Sequence, residues 1–394
     1  MHFAFVSLGA FGHVNPTLSL VNELIQANHR VTYFCTENFR KIIEPIGAKF
    51  VPMKSWMEKN DDQSNAGDNQ EESNVAAVVP FLFLKEAESF IDDVLDVLKE
   101  DRPDAIVHDF AGIAGTIAAD VLNVANVMLY TSYPSNGSYA VAEGFNVEDS
   151  HPLRQVANGI AQSFVDKYGC RFMSVKEIFD GHGDLNLVMM QKRLVPNSET
   201  FDDSFVFTGV QIGKRSTFGT WKKPDNEKPL VYSSLGTVFN WEGYYPILFD
   251  AVKDMDINVF VALGAVNPKK LKDIPENVEI GQMVPQLDIL SQADVFITHA
   301  GMGGTGESIY YGVPMIAIPQ MEEQAITARA IESNGLGFGL FSKKDVTSEN
   351  LRSRIETLLT NQKYKETVKE FSEDMKSLGG AKASAQALLS FLGK

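Results

Sequence analysis

The sequence has 394 residues, which is more than one ordinary hydrophobic core needs and fits two domains. It is 44% hydrophobic and 22% charged, an ordinary globular composition, and no apolar stretch reaches the roughly 18 uncharged residues of a membrane span. The formal net charge of -16 argues against nucleic acid and anionic membranes as partners. An anionic small ligand stays possible, because local hydrogen-bond donors decide its binding.

The N-terminus and the cysteines bear on location. The first residues are apolar but include no basic segment and no small-residue cleavage site, so we expect no signal peptide. Cys35 and Cys170 belong to no metal-binding spacing, and Cys35 ends an apolar run, as a small buried side chain would. We therefore expect a cytoplasmic protein without integral membrane association. We also expect a monomer or weak dimer.

The first half of the chain alternates strand and helix patterns. Asn15 is predicted as the N-cap of a helix whose first residue is Pro16. Such alternation indicates a parallel sheet with helices on both faces. The strands are predicted at 2–8, 30–35, 105–110 and 126–132, and the helices at 16–28 and 111–123.

Two segments of this half do not follow the alternation. Residues 58–72 hold six acids and one lysine with almost nothing to bury, which predicts a solvated loop. Residues 132–173 are rich in Gly, Asn, Ser and aromatic residues, and the pattern does not place elements there.

A polar, basic stretch at 209–229 with two prolines predicts an interdomain linker, after which strands and helices alternate again. We expect two doubly wound domains, each binding ligands at the carboxyl ends of its strands. The strands of the second domain are predicted at 230–235, 257–263, 277–281, 294–299 and 314–319.

The run from Val284 to Gln324 carries the strongest functional signal. Its glycines, GMGGTG at 301–306, also fit the G-x-G-x-x-G of dinucleotide-binding folds. Three features argue against that alternative: the run lies too near the end of the chain for a full dinucleotide fold, His299 precedes it, and Glu323-Gln324 follows it. A carboxylate beside an amide suits a sugar, because a hydroxyl can donate to one and accept from the other. A purely structural glycine turn is the other alternative.

The glycine run fits a diphosphate for a physical reason. Gly303 and Gly304 allow close backbone approach, and a helix predicted to begin near Thr305 offers unpaired N–H groups and the positive end of its dipole. His299 adds a side-chain donor, and the run contains no lysine or arginine. Small donors after the first strand of this domain, at Ser234, Gly236 and Thr237, are expected to face the same crevice.

A candidate catalytic pair lies in the first domain. His13 and Asp109 each follow a predicted strand, so both are expected at the carboxyl edge of the sheet. An aspartate that accepts from one imidazole nitrogen fixes the tautomer and leaves the other nitrogen basic. His108 should point to the opposite face, because side chains alternate along a strand.

Together, V-P-Q, H-x-G-x-x-small-x-x-E, G-V-P and E-Q, with G-H-x-N-P near the N-terminus, resemble the signature of family 1 UDP-glycosyltransferases, and the bacterial macrolide branch most closely. The resemblance covers the whole chain and implies the GT-B architecture, two Rossmann-like α/β domains that face each other across a cleft. It implies these boundaries: 1–212 for the acceptor domain, 213–228 for the linker, 229–378 for the UDP-sugar domain and 379–394 for a C-terminal helix that returns to the first domain.

The resemblance also implies residue roles. Val284 would pair with uracil through its backbone, Gln286 would lie near the base and ribose, and Glu307 would bind the ribose hydroxyls. His299 and the amides of the glycine run would hold the diphosphate, and Glu323 with Gln324 would hold the sugar. The whole donor site comprises Ser234, Gly236, Thr237, Val284, Gln286, His299, Gly301, Gly303, Gly304, Glu307, Glu323 and Gln324.

The implied reaction transfers a sugar, with glucose expected, from a UDP-sugar to a hydroxyl of a small apolar acceptor such as a flavonoid, terpenoid or macrolide. His13 would be the general base, configuration would invert, and neither a metal nor a cofactor would be needed, since the UDP-sugar is a co-substrate. Asp254-Met255-Asp256 matches the metal signature of another glycosyltransferase architecture, but it precedes a predicted strand, at the wrong end of the sheet. A nucleotide-sugar epimerase of the same architecture and a non-catalytic nucleotide-sugar binder remain as alternatives.

Overall fold

The computed structural model describes residues 1–59, 72–136, 150–171, 174–213, 219–236 and 241–393. Thr237, most of the acidic segment 58–72 and part of the segment 132–173 lie outside the described residues. Within the described ranges, no helix is long and apolar enough to cross a membrane.

The chain divides into two compact units. Unit 1 contains residues 1–212 and 379–394, and unit 2 contains residues 213–378. We expected the segment 213–228 to be a linker, but it groups with unit 2. Its described part is held to unit 2 by backbone hydrogen bonds. The backbone N–H of Trp221 donates to the Asp288 carboxylate (3.3 Å), and that of Lys223 donates to Gln292 Oε1 (3.0 Å).

Unit 1 is built on a parallel seven-stranded sheet in the order β3-β2-β1-β4-β5-β6-β7. The order reverses between β1 and β4, which are neighbours, so a crevice at this point is expected from the fold class. The strands are β1 (His2–Val6), β2 (Arg30–Thr36), β3 (Lys49–Met53), β4 (Ala105–Asp109), β5 (Ala125–Tyr130), β6 (Leu185–Val188) and β7 (Phe205–Phe207).

Helices of unit 1 bury one apolar cluster on each face of this sheet. Ile106 of β4 belongs to one cluster and its neighbour Val107 to the other, as the alternation of a doubly covered strand requires. The helices are α1 (Phe11–Gln26), α2 (Arg40–Ile43), α3 (Trp56–Lys59), α4 (Glu72–Glu100), α5 (Ile113–Leu122), α6 (Pro152–Tyr168) and α7 (Val175–Asp180).

Unit 2 repeats the plan with a parallel six-stranded sheet in the order β10-β9-β8-β11-β12-β13. Its order reverses between β8 and β11. The strands are β8 (Leu230–Ser234), β9 (Asn258–Ala262), β10 (Val278–Gly281), β11 (Val295–Thr298), β12 (Met315–Ala317) and β13 (Gly337–Gly339). The helices are α8 (Tyr244–Val252), α9 (Gln286–Leu290), α10 (Met302–Tyr311), α11 (Glu322–Ser333), α12 (Ser348–Thr360) and α13 (Gln362–Ser377).

The last helix, α14 (Gly380–Leu392), belongs to unit 1 and packs against α1 and β6. Ala385 and Leu388 are buried in the cluster beneath it. The hydroxyl of Ser384 accepts from Gln211 Nε2 (2.5 Å) and donates to Thr208 Oγ1 (2.9 Å), so apolar burial and hydrogen bonds both hold this helix in unit 1.

The predicted start of the first helix is wrong. Asn15 and Pro16 lie inside α1, which begins at Phe11 with Ala10 as its N-cap. The Ala10 carbonyl accepts the first helical hydrogen bonds, from the N–H groups of His13 and Val14 (3.0 Å each). Proline is favoured at the first helical position, and inside a helix it costs a backbone hydrogen bond and crowds the carbonyl four residues earlier, so the buried residues of α1 must offset this cost. His13 consequently lies in the first turn of α1 and not before it.

Candidate active site

The structure brings His13 and Asp109 together at the carboxyl edge of the unit 1 sheet. His13 follows β1 and Asp109 ends β4, and these strands are hydrogen-bonded neighbours where the strand order reverses. His13 Nδ1 lies 2.5 Å from Asp109 Oδ2. The carboxylate side chain is only 3% exposed, whereas the imidazole is 18% exposed, so the histidine is the member of the pair that solvent or a ligand can reach.

Asp109 is held as an anion with a fixed orientation. Its Oδ1 accepts from the backbone N–H groups of Ala111 and Gly112 (3.0 Å each), which directs Oδ2 at the imidazole. Burial by itself would raise the pKa of Asp109, but the interaction with His13, together with smaller contributions from His108 and the Ala111 N–H, outweighs it, and the pKa is lowered from its usual value. An ionised Asp109 accepts a hydrogen bond from the Nδ1–H of His13, so Nε2 carries the lone pair that can take a proton.

The prediction that His108 faces away from this pair is confirmed. Its side chain is 1% exposed, and its Nε2 lies 2.6 Å from Asn126 Oδ1 on β5. Burial lowers the pKa of His108, so it stays neutral in the core.

His299 lies between two glycines at the carboxyl edge of the unit 2 sheet. It follows β11, and a Cβ added at Gly236, just after β8, would lie 3.1–3.4 Å from the ring atoms. A Cβ added at Gly301 would overlap His299 Nε2. Gly236 also has φ +90°, a conformation that glycine adopts without strain. Both glycines are therefore needed for the imidazole to lie where it does.

Surrounding protein atoms desolvate His299, although part of its edge stays accessible. Burial lowers the pKa of His299 to about 4, against a smaller opposing effect of the Ser234 backbone. At neutral pH the imidazole is thus an uncharged donor and acceptor. The next residue, Ala300, has φ +64°, which is uncommon for a residue with a Cβ and stores strain in this turn.

The helix after the glycine run begins earlier than predicted. It starts at Met302, with Gly301 as its N-cap, and not near Thr305. The first helical bond runs from the Thr305 N–H to the Gly301 carbonyl (3.0 Å), so the amides of 302–304 have no acceptor within the helix. Apart from its chain neighbours and its own helix backbone, no described atom lies within 4 Å of a Cβ placed on Gly303. Glycines depress helix propensity, which is why the pattern placed the start too late.

Three predicted donor residues lie near one another in unit 2. Gln286 begins α9, and its Nε2 donates to Glu307 Oε2 on α10 (2.6 Å). Its backbone N–H donates to the Val284 carbonyl (2.8 Å). Gln286 Oε1 accepts from the hydroxyl of Tyr232 on β8 (3.0 Å). Nothing in the sequence indicated a functional role for Tyr232, because an aromatic residue within a predicted strand is typical of the core.

Glu323 and Gln324 lie in the first turn of α11. Gln324 is 5% exposed, and its Oε1 accepts from the Gln320 N–H (2.9 Å). Gln320 Nε2 in turn donates to the Leu235 carbonyl (3.3 Å), which links the start of α11 to the loop after β8. The side-chain oxygen of Gln324 thus stabilises the turn that leads into α11, and the side-chain NH2 group is the donor that a ligand could use.

The surroundings of His13 are aromatic. The Phe110 ring lies 5.7 Å from the His13 ring between centroids, Phe83 lies 5.9 Å from Phe110, and Phe179 lies 6.4 Å from Phe83. Phe83 lies in α4, Phe110 follows β4 and Phe179 lies in α7. Met189 and Met190, which follow β6, are buried.

Asp254 and Asp256 follow α8 and precede β9, at the amino edge of the sheet, as expected. Asp256 pairs with Lys228 (2.7 Å). No group of three or more His, Cys, Asp or Glu suited to a metal ion occurs in the ranges that the structure describes.

Comparison with known proteins identifies the family. The chain is 33% identical to the NDP-glycosyltransferase YjiC of Bacillus subtilis (strain 168) over 100% of this chain and 98% of that protein. The chain belongs to the bacterial family 1 glycosyltransferases. Residues 246–389 of this glycosyltransferase also match the family described as Erythromycin biosynthesis protein CIII-like, C-terminal domain.

Other relatives agree. The glycosyltransferase is 29% identical to demethyllactenocin mycarosyltransferase of Streptomyces fradiae, over 98% of this chain and 86% of that one. The crystal structure of CalG4, the calicheamicin glycosyltransferase, superposes with a TM-score of 0.84 at 27% identity, over 100% of this chain and 98% of that one. The expected GT-B class, with two Rossmann-like parallel-sheet domains, is confirmed.

Proposed function

We propose that this glycosyltransferase moves glucose from UDP-glucose to a hydroxyl of a small apolar acceptor, with inversion at the anomeric carbon. The observation that carries the proposal is the 2.5 Å contact between His13 Nδ1 and Asp109 Oδ2. It gives a partly exposed imidazole a fixed tautomer and a buried anion behind it, which is the arrangement of a general base.

Unit 1 supplies the base. His13 Nε2 removes the proton from the acceptor hydroxyl while the oxygen attacks the anomeric carbon. The C–O bond to UDP breaks from the opposite face, so an α-linked donor gives a β-glycoside. Asp109 stabilises the imidazolium that forms, since its carboxylate already accepts the hydrogen bond from Nδ1–H.

Unit 2 holds the donor. Gln286 and Glu307 lie near the nucleoside, with Glu307 on the ribose hydroxyls and the Val284 backbone on the base. The diphosphate lies at the start of α10, where the amides of 302–304 and the helix dipole favour an anion.

UDP leaves without a cation to neutralise the charge that grows on its diphosphate. His299, neutral at pH 7, donates a hydrogen bond to the growing charge on UDP. Thr237 reaches a phosphate oxygen, and Glu323 with Gln324 holds the sugar. We propose that no metal and no cofactor takes part, because the helix end and these neutral donors take up the charge.

The aromatic rings beside His13 support an apolar acceptor. Phe110, Phe83 and Phe179 offer flat apolar surface next to the base. A demethyllactenocin mycarosyltransferase, which takes its name from a sugar and a small molecule, is among the relatives, and we propose flavonoids, terpenoids and macrolides as acceptors. Cys35 and Cys170 are buried and form no disulfide, which is compatible with the reaction taking place in the cytoplasm.

One assay tests the proposal. The protein is incubated with UDP-glucose and a panel of flavonoid, terpenoid and macrolide acceptors, with UDP release and a mass gain of one anhydrohexose as readouts. We expect His13→Ala to lower kcat by about 100-fold or more with UDP affinity unchanged. EDTA should leave turnover unchanged. Equal turnover of His13→Ala and wild type would refute the base assignment, and conversion of UDP-glucose to another UDP-sugar without acceptor would favour an epimerase.

A further inference from the structure

Tyr232 lies behind the residues proposed to hold the nucleoside. It is in the middle of β8, fully buried, and its ring stacks on Phe296 of the neighbouring β11 at 4.9 Å between centroids and 7° between planes. The two residues are register partners in the parallel sheet. The phenol is therefore fixed by the sheet itself, with its hydroxyl directed toward α9.

The hydroxyl belongs to a hydrogen-bond chain with only one consistent direction. Glu307 as a carboxylate can only accept, so the Gln286 amide must present Nε2 to it (2.6 Å). Gln286 Oε1 then points the other way and needs a donor, which the Tyr232 hydroxyl provides at 3.0 Å. Tyr232 thus connects to two residues of the proposed donor site, Gln286 directly and Glu307 through it, although a buried residue does not touch the ligand.

We propose that Tyr232 is a positioning residue for nucleotide recognition: its hydroxyl fixes the Gln286 amide, and through it the Glu307 carboxylate, in the orientation that binds the ribose hydroxyls. This inference rests on the proposed function, which places Glu307 on the ribose. Without the hydroxyl, the Oε1 of the half-buried Gln286 lacks this donor, and the side chain turns to find another. The Glu307 carboxylate then loses the oriented hydrogen bond from Gln286.

The experiment compares two nucleotides in Tyr232→Phe, which removes one oxygen and keeps the ring. Binding of UDP and of 2′,3′-dideoxy-UDP is measured by titration calorimetry. We expect UDP affinity to fall about tenfold, as the loss of an oriented buried hydrogen bond predicts, and the affinity for dideoxy-UDP, which has no ribose hydroxyls, to stay unchanged. In turnover the change should appear in KM for UDP-glucose, with kcat nearly constant.

Tyr244→Phe is the matched control. Tyr244 is also fully buried and lies 2.7 Å from the Ser233 hydroxyl on the same strand, so its loss removes an equivalent buried bond away from the donor residues. We expect it to change the melting temperature by a similar amount and the preference for UDP over dideoxy-UDP not at all. A Tyr232→Phe protein that keeps the wild-type preference, or that weakens both nucleotides alike, overturns the positioning role.

A double variant tests whether Tyr232 acts through Gln286. In a Gln286→Leu background the chain is already broken, so adding Tyr232→Phe should cause no further loss of UDP affinity. Additive losses would show that Tyr232 acts by another route and would overturn the inference. If the wild type itself does not prefer UDP over dideoxy-UDP, the proposed ribose contact of Glu307 fails, and this outcome is distinct from failure of the Tyr232 role alone.

Discussion

At the residue scale, Asp109 performs two tasks that one substitution can separate. Its Oδ1 holds the turn after β4 through two backbone N–H groups, and its Oδ2 sets the His13 tautomer. In Asp109→Asn, the amide oxygen can still accept from the turn. The amide nitrogen then donates to His13 Nδ1, which moves the ring proton to Nε2. We expect kcat to fall about 100-fold or more with a nearly unchanged KM for UDP-glucose.

Asp109→Ala removes both tasks and is the comparison. It should lose activity and also stability, because the buried Ala111 N–H loses its acceptor, at about 1–3 kcal/mol, whereas the Gly112 N–H keeps the Asp109 backbone carbonyl. If Asp109→Asn retained wild-type kcat, the tautomer argument would be wrong, even with the 2.5 Å contact in place. Thermal melts of the two variants, recorded beside the rates, separate a catalytic loss from a folding loss.

His299 should leave a signature in the pH dependence of stability. Its pKa is about 4 in the folded protein and 6.5 in a model peptide, so the unfolded chain binds the proton more tightly. The stability that this difference contributes is complete above pH 6.5 and is lost as the pH falls toward 4. His299 should contribute about 1–3 kcal/mol to the free energy of unfolding. The value is smaller than full burial would give, because the residue is only partly buried.

The measurement is the free energy of unfolding of unit 2 between pH 4 and 7, followed by the fluorescence of Trp221 and Trp241. His299→Gln should show a shallower slope than wild type over this window. The slope should not vanish in whole-protein melts, because burial also lowers the pKa of His2 and His108. Equal slopes for wild type and His299→Gln would contradict the burial argument.

At the scale of elements, strands were predicted better than helix starts. The strands are continuous apolar runs because both faces of each sheet are covered, and such runs stand out in the sequence. The starts of α1 and α10 were misplaced because Pro16 and the glycine run carry local signals that packing overrides. The partners of Gln286 were not predictable either, since nothing in a linear pattern shows that α9 and α10 meet over Tyr232.

The turn from β11 into α10 gives a prediction of its own. Gly301 has φ -64° and ψ 139°, which any residue can adopt, so an alanine there is limited only by the overlap of its Cβ with His299 Nε2. Gly301→Ala should displace the imidazole and weaken UDP binding about tenfold, the size of one lost charge-assisted hydrogen bond. In a His299→Ala background the overlap is gone, and Gly301→Ala should then have no further effect. Additive losses in the double variant would mean that the glycine acts on the ligand directly and not through the ring.

At the scale of the whole molecule, the alternation of strands and helices predicted two doubly wound sheets, and the family resemblance predicted that the C-terminal helix returns to the first. The change in composition at 209–229 predicted a domain boundary there, and the two units divide within it, between residues 212 and 213. The packing of α14 on unit 1 could not be predicted in this way, because its apolar residues show only that the helix is buried against some surface. The structure shows that this surface belongs to unit 1: the Gly380 N–H donates to the Thr208 carbonyl, and the Ser384 hydroxyl bonds Thr208 and Gln211.

This arrangement predicts that the two ends of the sequence unfold together. Leu388 is fully buried in the unit 1 cluster against α1, so Leu388→Ala should cost about 3 kcal/mol by lost burial and the cavity it leaves. Hydrogen exchange should report the loss in β1, α1 and α14 but not in residues 229–378. Exposed Gln386 on the same helix is the control, and Gln386→Ala should change stability by less than about 0.5 kcal/mol. Faster exchange in unit 2 to the same extent as in unit 1 would show instead that the two units unfold as one cooperative body.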